Sequence, residues 1–492
     1  MTGDVSYGRR LTLLAERHPD RTAILHAALD GSERIVTWGE LECRANQVAR
    51  LLAGRGVAEG TMVVIALPNV PEHFFCAYAA WKLGATVLPL RWDLPRWERD
   101  RLLAIIETDA VIGDWTDAPD ATITTADIRS SGALDGSPLP DKVARYARAI
   151  ATSGSTGSPK LILTPAPGIV DAEMTTASKQ FGMREQATQL VISPLYHTNG
   201  FACHVGLLDG QTLVLMERFD AERAVDLIER HDVNHVIMVP TMLQRIARVP
   251  GVRARDFSSI DSVLYGGAPI APWVVRTWLD LVGPDHLICS YGGTEGVGLV
   301  VGRGDEWLTH EGTVGRPSNC DLRIQDPEGN EAAVGEIGEI YMRQHNMSPT
   351  FEYVGAPMPQ PTADGFRTLG DLGWIDENGY LYIADRRVDM IVSGGANVYP
   401  AEIEAALSEL TAIADVVVIG IPDAEWGQRV HAIVESADPR RPPSEDVLRA
   451  HCAERLASYK VPKAFEIVEH VPRTAAGKIN RSALIEGRSP KP

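Results

Sequence analysis

The sequence predicts an α/β protein with a large N-terminal domain of helix-covered, mostly parallel sheets. An antiparallel β subdomain and a small C-terminal α+β domain follow. Three observations predict this. Short Val- and Ile-rich runs alternate with helix-period segments over roughly the first 300 residues, the signature of strand–helix–strand units. From Gly312 the turns become Gly-rich (GTVGRP, DPEGN, GEIGE) and the runs between them short and alternating, as in antiparallel strands. From Val388 a further succession of helix, strand, helix and strand forms a unit of domain size. The expected boundaries are 1–387 and 388–492, with the antiparallel part at about 312–385.

In chain order, strands are expected at 62–67, 85–90, 190–193, 212–216, 235–239, 262–265 and 286–290. Helices are expected at 72–83, after Pro71, and at 272–282, entered at Pro272. Proline suits a first helical turn, where its missing N–H has no partner to lose. In 221–230 the residues Ala221, Ala224, Val225, Leu227 and Ile228 share one face. Ligands of such sheets lie beyond the carboxyl ends of the strands, which directs attention to the loops that follow them. Further strands are expected at 322–325 and 339–343, with a turn at 376–379 between two more. The last region reads as helix 400–410, strand 414–421, helix 444–456 and strand 464–468. Residues 115–145 carry the weakest pattern and are expected to form a surface excursion.

The 492 residues carry 47 Lys and Arg against 65 Asp and Glu, a net charge of −18. A general nucleic-acid binder needs a basic field and is excluded, whereas a local anion site is not. The six cysteines are scattered without CxxC spacing, so no zinc site or redox dithiol is indicated. The opening MTGDVSYGRR lacks an apolar core for a signal peptide. No apolar run approaches the ~20 residues that span a bilayer. A cytoplasmic protein without a membrane span is expected.

Five stretches carry candidate chemistry. The run Ala151-Thr-Ser-Gly-Ser-Thr-Gly-Ser-Pro-Lys160 follows an apolar strand. Its small residues allow close approach of backbone N–H groups to an anion, with the Lys160 charge beside them. The spacing is not that of a Walker loop. Tyr291-Gly-Gly-Thr-Glu-Gly296 places a ring at a strand end, a hydroxyl at Thr294 and a hard-cation ligand at Glu295. In Thr368-Leu-Gly-Asp371 one carboxylate can accept both hydroxyls of a ribose. Arg386 in Ala384-Asp-Arg-Arg-Val-Asp389 can bind ribose or phosphate, and Ser393-Gly-Gly-Ala-Asn397 follows it. The last stretch is Pro472-Arg-Thr-Ala-Ala-Gly-Lys478, a lysine on a Gly-containing loop. Taken singly, each also reads as a polar turn.

In this order and over this span, from Thr37-Trp-Gly-Glu-Leu41 to Lys478, the motifs resemble those of the adenylate-forming enzymes, in the acyl- and aryl-CoA synthetase branch. The resemblance implies that a carboxylic acid is activated with ATP to an acyl-adenylate, releasing pyrophosphate, and then passed to a thiol. It implies that Thr152, Ser153, Gly154, Ser155, Thr156, Gly157 and Lys160 hold the β- and γ-phosphates. Gly266, Gly267, Ala268 and Pro269 would lie along the adenine, and Tyr291 and Gly292 beside the purine or acyl group. Thr294 would touch the α-phosphate and Glu295 would ligate Mg²⁺. Asp371 and Arg386 would hold the ribose, and Lys478 would bridge carboxylate and α-phosphate. The C-terminal domain would be mobile, turning at a hinge near Val388 so that Gly394 and Gly395 line a tunnel for the pantetheine thiol. Relatives usually carry Asp or Lys where Val388 stands.

His197 resembles the histidine that lies between acyl pocket and thiol tunnel in this branch. Leu195, Tyr196 and His197 replace the Phe-Asp pair of amino-acid-activating domains, which disfavours an amino acid. The small Gly267, Gly292 and especially Gly293 suggest room for a bulky, ring-containing acid. Coenzyme A is the expected acceptor, with Lys460, Lys463, Arg473 and Arg481 available to its phosphates. A stand-alone adenylation enzyme that loads the phosphopantetheine of a carrier protein is the alternative. The sequence leaves a homodimer open.

Overall fold

A computed structural model of the chain describes residues 4–106, 108–118, 122–152, 160–171, 181–184, 186–345, 351–474 and 477–489. At its centre is a nine-stranded sheet. Strands Leu287–Gly292, Ser262–Gly266, His235–Met238, Thr188–Val191, Thr212–Met216 and Thr22–Ala27 lie side by side in that order and run parallel. Antiparallel strands close both edges, Leu299–Arg303 with Arg316–Pro317 at one and Glu33–Thr37 at the other. Because the central strands are parallel, the ends of Thr188–Val191, His235–Met238, Ser262–Gly266 and Leu287–Gly292 open onto one rim. A smaller parallel sheet holds Met62–Ala66 between Thr86–Pro89 and Ala110–Gly113.

Helices cover these sheets through apolar faces. In Ala221–Arg230 the buried residues are Ala224, Val225, Leu227 and Ile228, the face expected from the sequence, and Asp220 caps the N-terminus by accepting the Arg223 N–H. Helices Pro71–Lys82, Pro240–Ala247 and Pro272–Val282 each begin with proline. Pro71–Lys82 is buried along its whole length, so no apolar stripe marks it.

The antiparallel part is a four-stranded sheet in the order Cys320–Gln325, Gly338–Gln344, Arg367–Ile375, Leu381–Arg386. Its register sets Asp371 directly opposite Arg386. The last region has its own five-stranded sheet, built on the long pair Ile413–Asp423 and Gly427–Ser436, with Ala464–Val468 parallel to the latter. Helices Pro400–Ser408 and Glu445–Arg455 supply Ile403, Leu407, Leu448 and Cys452 to a core distinct from that of the central sheet. Among the described residues no helix is long and apolar enough to cross a membrane, and the six cysteines are free thiols.

One expectation changes and another gains detail. The strand expected at 286–290 runs instead over Leu287–Gly292, so Tyr291 and Gly292 are paired strand residues, opposite Val300 and Leu299. The described residues of the 115–145 stretch lie mostly at the surface, as expected, but the stretch is anchored there. Ile123 and Ile128 are buried, and helix Trp38–Ala53 binds its backbone through Arg44 to Ile128 O and Gln47 to Gly132 O and Leu134 O. Side chains from a distant helix satisfy what the segment's own sequence could not.

Candidate active site

The rim of the central sheet is built by loops that leave parallel strands. After Thr188–Val191 the chain turns through Pro194 to His197, which stands at the N-cap of the short helix Thr198–Phe201. Asn69 pins this turn: its side-chain amide donates to Ser193 O at 3.1 Å and Met216 O at 3.2 Å and accepts the Leu195 N–H at 3.0 Å. Gly200 is required because a Cβ there would strike the Ser193 and Pro194 carbonyls. Burial, then the nearby Lys478 charge, then Arg91, push the His197 imidazole down to about 3, so it is neutral at physiological pH.

From the next strands come Gly266–Pro269 and the 291–296 turn. Gly266 ends its strand against Ser290, with no room for a Cβ, while Gly267 (φ +85°), Ala268 and Pro269 are exposed. Thr294 meets Thr198, their hydroxyls 3.0 Å apart. Glu295 Oε1 accepts the Tyr353 hydroxyl at 2.8 Å and lies 3.8 Å from Lys160 Nζ, which itself sits 3.7 Å over the Tyr353 ring. Lys160 opens a strand paired with Ala149–Thr152, Thr152 opposite Lys160. Ser153, Gly154, Ser155, Thr156 and Gly157, named in the sequence, lie outside the described residues.

The antiparallel sheet supplies the other wall. The Asp371 carboxylate accepts the Tyr291 hydroxyl at 2.9 Å and lies 3.4 Å from Arg386 Nε. Burial raises its pKa, against the opposing pull of Arg386 and Tyr291. Tyr291 packs its ring on the core of this sheet. Lys478 reaches the same cleft from the last region: its ammonium pKa is lowered by burial and by Arg386, while Glu295 pulls the other way. Its loop rests on the rim of the central sheet, where a Cβ at Gly477 would lie 2.5 Å from Thr241 Oγ1.

Thus His197, Thr294, Glu295, Lys160, Tyr291, Asp371, Arg386 and Lys478 form one charged cleft. Gly394 and Gly395 do not join it. They are the tip of the hairpin Ile391–Ser393/Ala396–Val398, with φ +58° and +80°, the conformation of a two-residue type I′ turn. The Gly394 N–H donates to Trp426 O at 2.9 Å.

Two expectations about these side chains are corrected. Gly293 does not face free space, since a Cβ there would lie 2.8 Å from Glu295 Oε2 and 2.9 Å from Leu369 Cδ2; the open position is Gly267, with nothing within 4 Å. Lys460, Arg473 and Arg481 are occupied by Glu402, Asp415 and the Glu404/Asp389 pair, at 2.6, 2.5 and 2.7/3.2 Å. Of the four cations expected for phosphates, only Lys463 makes no ion pair among the described residues; it lies 4.7 Å from the Trp426 ring. Val388 is 73% exposed in a tight turn.

The sequence reading missed Tyr353, Thr198, Asn69 and Arg91. Tyr353 comes from Glu352–Val354, which adds to the strand that begins at Lys160. Only that pairing brings its hydroxyl to Glu295. Asn69 carried a local signal, a polar residue between an apolar strand and a Pro-led helix.

A single carboxylate beside a hydroxyl, Glu295 with Thr294, is a donor set that fits Mg²⁺, which takes one or two protein carboxylates and completes its octahedron with phosphate oxygens and water.

Comparison with known proteins agrees with this architecture. Residues 12–351 match the AMP-binding enzyme family and residues 402–478 the AMP-binding enzyme C-terminal domain. A feruloyl-CoA synthase of Amycolatopsis sp is 33% identical over 484 residues, covering 94% of this chain and 95% of the relative. A fatty acid–[acyl-carrier-protein] ligase, ScoC of Streptomyces coeruleorubidus, is 30% identical over 497 residues, with 96% and 94% covered. The structure of o-succinylbenzoate CoA synthetase from Bacillus subtilis in complex with its acyl-adenylate intermediate superposes with a TM-score of 0.81 at 27% identity, covering 98% of each chain. The same enzyme is known with ATP and a magnesium ion. The chain therefore belongs to the AMP-binding enzyme family, in its acid–CoA ligase branch, and is an AMP-forming acid–thiol ligase.

Proposed function

We propose that this ligase adenylates a ring-bearing carboxylic acid and transfers the acyl group to coenzyme A, with Lys478, Glu295, Thr294 and His197 at the reacting groups. The observation that carries the reading is the convergence of Lys478 with Glu295, Arg386 and His197 in one cleft. A carboxylate is a poor electrophile. In the first step its oxygen attacks the α-phosphorus of ATP, the bond to pyrophosphate breaks, and a mixed anhydride with AMP remains. Two anions must meet, so the work is alignment and charge neutralisation. The Lys478 ammonium lies where it offsets both. Asp371, already an acceptor for the Tyr291 hydroxyl, has the oxygens to accept ribose hydroxyls, and Arg386 stands beside it. Lys160, and by their position in the chain residues 152–157, serve the outer phosphates. Glu295 and Thr294 would hold Mg²⁺, which neutralises phosphate charge when bound. His197, kept neutral, orients the carboxyl through hydrogen bonding without adding a second cation next to Lys478. In the second step the thiol gives up its proton to solvent, its sulfur attacks the acyl carbon, and AMP leaves with the bonding pair.

The ring preference is supported by the ferulate and o-succinylbenzoate enzymes among the relatives and by the open space at Gly267. Gly394, Gly395, Trp426 and Lys463 form the surface best suited to the pantetheine arm and phosphates of CoA. The carrier-protein alternative is favoured by two observations: three of the four cations expected to meet CoA phosphates are engaged by carboxylates, and a carrier-protein ligase stands among the relatives.

Pyrophosphate release across a panel of carboxylic acids tests these readings, with no acceptor, with CoA and with a phosphopantetheinylated carrier. Aryl and cyclic acids should lead the panel, and CoA should be acylated. Short linear acids outrunning every cyclic one would remove the ring preference. An acylated carrier with no acyl-CoA would establish the alternative.

A further inference from the structure

Helix Pro400–Ser408 belongs to the core of the last region, yet groups from outside that region hold both of its ends. Its N-cap residue, Tyr399, makes no side-chain cap. The Asp385 carboxylate, from the sheet that carries Asp371 and Arg386, accepts the Ala401 N–H at 2.9 Å instead. At the other end Arg248 Nη2 donates to the Ser408 carbonyl at 2.8 Å, and Trp273 Nε1 donates to Ser408 Oγ at 3.1 Å. An anion at the helix N-terminus and a cation at its C-terminus both complement the helix dipole, and both satisfy groups the helix cannot pair internally.

Arg248 makes a second contact. Its Nη1 donates to Ala414 O at 2.6 Å, at the point where the strand pairing slips between Ile413 and Asp415. The adjacent Asp415 carboxylate accepts two bonds from Arg473, at 2.5 and 2.9 Å, and Arg473 Nη1 donates onward to Gly477 O at 3.0 Å. Gly477 precedes Lys478 and rests on Thr241. Thr241 and Arg248 lie at opposite ends of one helix, Pro240–Ala247.

We propose that Arg248 is a positioning residue for the Lys478 ammonium. Its guanidinium seats the last region on helix Pro240–Ala247, and the Asp415–Arg473–Gly477 chain carries that placement to the lysine. Arg473 belongs to this device as the brace of the lysine loop. The proposal rests on the reading that Lys478 serves adenylation.

The test uses the full chain, the fastest acid of the panel and its synthetic adenylate. ATP–pyrophosphate exchange reports the first step, and acyl transfer from the supplied adenylate reports the second. Arg248→Ala should slow exchange by about tenfold or more, as expected for two lost charge-assisted hydrogen bonds, and leave transfer within about twofold. Arg248→Lys, which can reach one carbonyl but not fork between two, should restore part of the loss. Trp273→Phe removes one neutral donor and trims the indole that Arg248 overlies at 5.1 Å to a phenyl ring, so it should slow exchange by about threefold. The double variant Arg248→Ala/Lys478→Ala should be no slower in exchange than Lys478→Ala, because one residue acts through the other. The proposal is overturned if Arg248→Ala lowers both steps in the same proportion, or if its effect persists in full on the Lys478→Ala background. Wild-type exchange in Lys478→Ala would instead sink the adenylation role of Lys478 itself.

Discussion

Helices Pro240–Ala247 and Pro272–Val282 each have two faces, and the faces differ in kind. Inward, Met242, Leu243 and Ile246 meet Val274, Val275 and Trp278 in a dry core, where the Trp278 indole N–H is satisfied by Leu243 O at 3.0 Å. Outward, Gln244, Arg248 and Trp273 meet the last region through hydrogen bonds to backbone carbonyls and a serine hydroxyl, and Thr241 meets it by close packing on Gly477. The inner face gains its free energy from removing apolar surface from water, and opening it would expose that surface. The outer face exchanges bonds to protein for bonds to water at small net cost. A seam of the second kind can part and reform while the first stays intact, which is what two half-reactions in one cleft require.

The contrast can be broken most forcefully at Trp278. Trp278→Ala should cost about 3–5 kcal/mol of stability by leaving a cavity in a rigid core. Thermal unfolding should show that loss, with both half-reactions reduced together in whatever protein remains folded. Lys478→Ala should act the other way: adenylation falls by about 10²–10³-fold, the usual consequence of deleting one preorganised charge-stabilising group, while the melting temperature hardly moves. Equal loss of acyl transfer from supplied adenylate would contradict the seam as a separable element. The same variant should raise the His197 pKa from about 3, since Lys478 is the second cause of its depression after burial. A ¹H–¹⁵N titration of the imidazole measures it.

Asp385 sharpens the comparison through pH. Burial lifts its carboxyl from 3.8 to about 6, with Glu404 pushing in the same direction and the Ala401 and Arg386 N–H groups and the Arg481 charge opposing. Between those values the folded chain keeps a proton that the unfolded chain has released, so stability falls as pH rises through this window. The wild-type stability advantage over Asp385→Asn should therefore shrink between pH 4 and pH 7, by an amount on the order of 2 kcal/mol. A difference that grows with pH would mean the carboxylate is stabilised by its partners after all. The smallest effect is expected at Gly267. Gly267→Ala introduces a methyl at φ +85° into open space, costing about 1 kcal/mol, and should raise KM for ring-bearing acids more than for short linear acids.

Much of the site was legible because the motifs that carry it are short and local. Residues 291–296, 368–371 and 386 each bring their chemistry with them, and the family resemblance orders them. Tyr353, Arg248 and Asn69 were not legible in role. Each acts on a partner far along the chain, and neither composition nor periodicity records which strands pair or which helix end meets which carbonyl. Gly293 shows the opposite hazard. A missing side chain suggests space, yet Leu369 and Glu295 already occupy it. Arg473 and Arg481 read as cations for a ligand and serve as internal braces, because charge in a sequence does not say whether a carboxylate is folded against it.

The sequence by itself determined the layered α/β class, the change to antiparallel strands after Gly312, and the set of groups available for acid activation. All of these depend on local periodicity, turn chemistry and short motifs. Only the tertiary structure decided which charges stand free in the cleft, which glycines face open space, and how the last region is seated so that Lys478 enters. Those are outcomes of long-range pairing, in which each buried polar group takes the partner that geometry offers it.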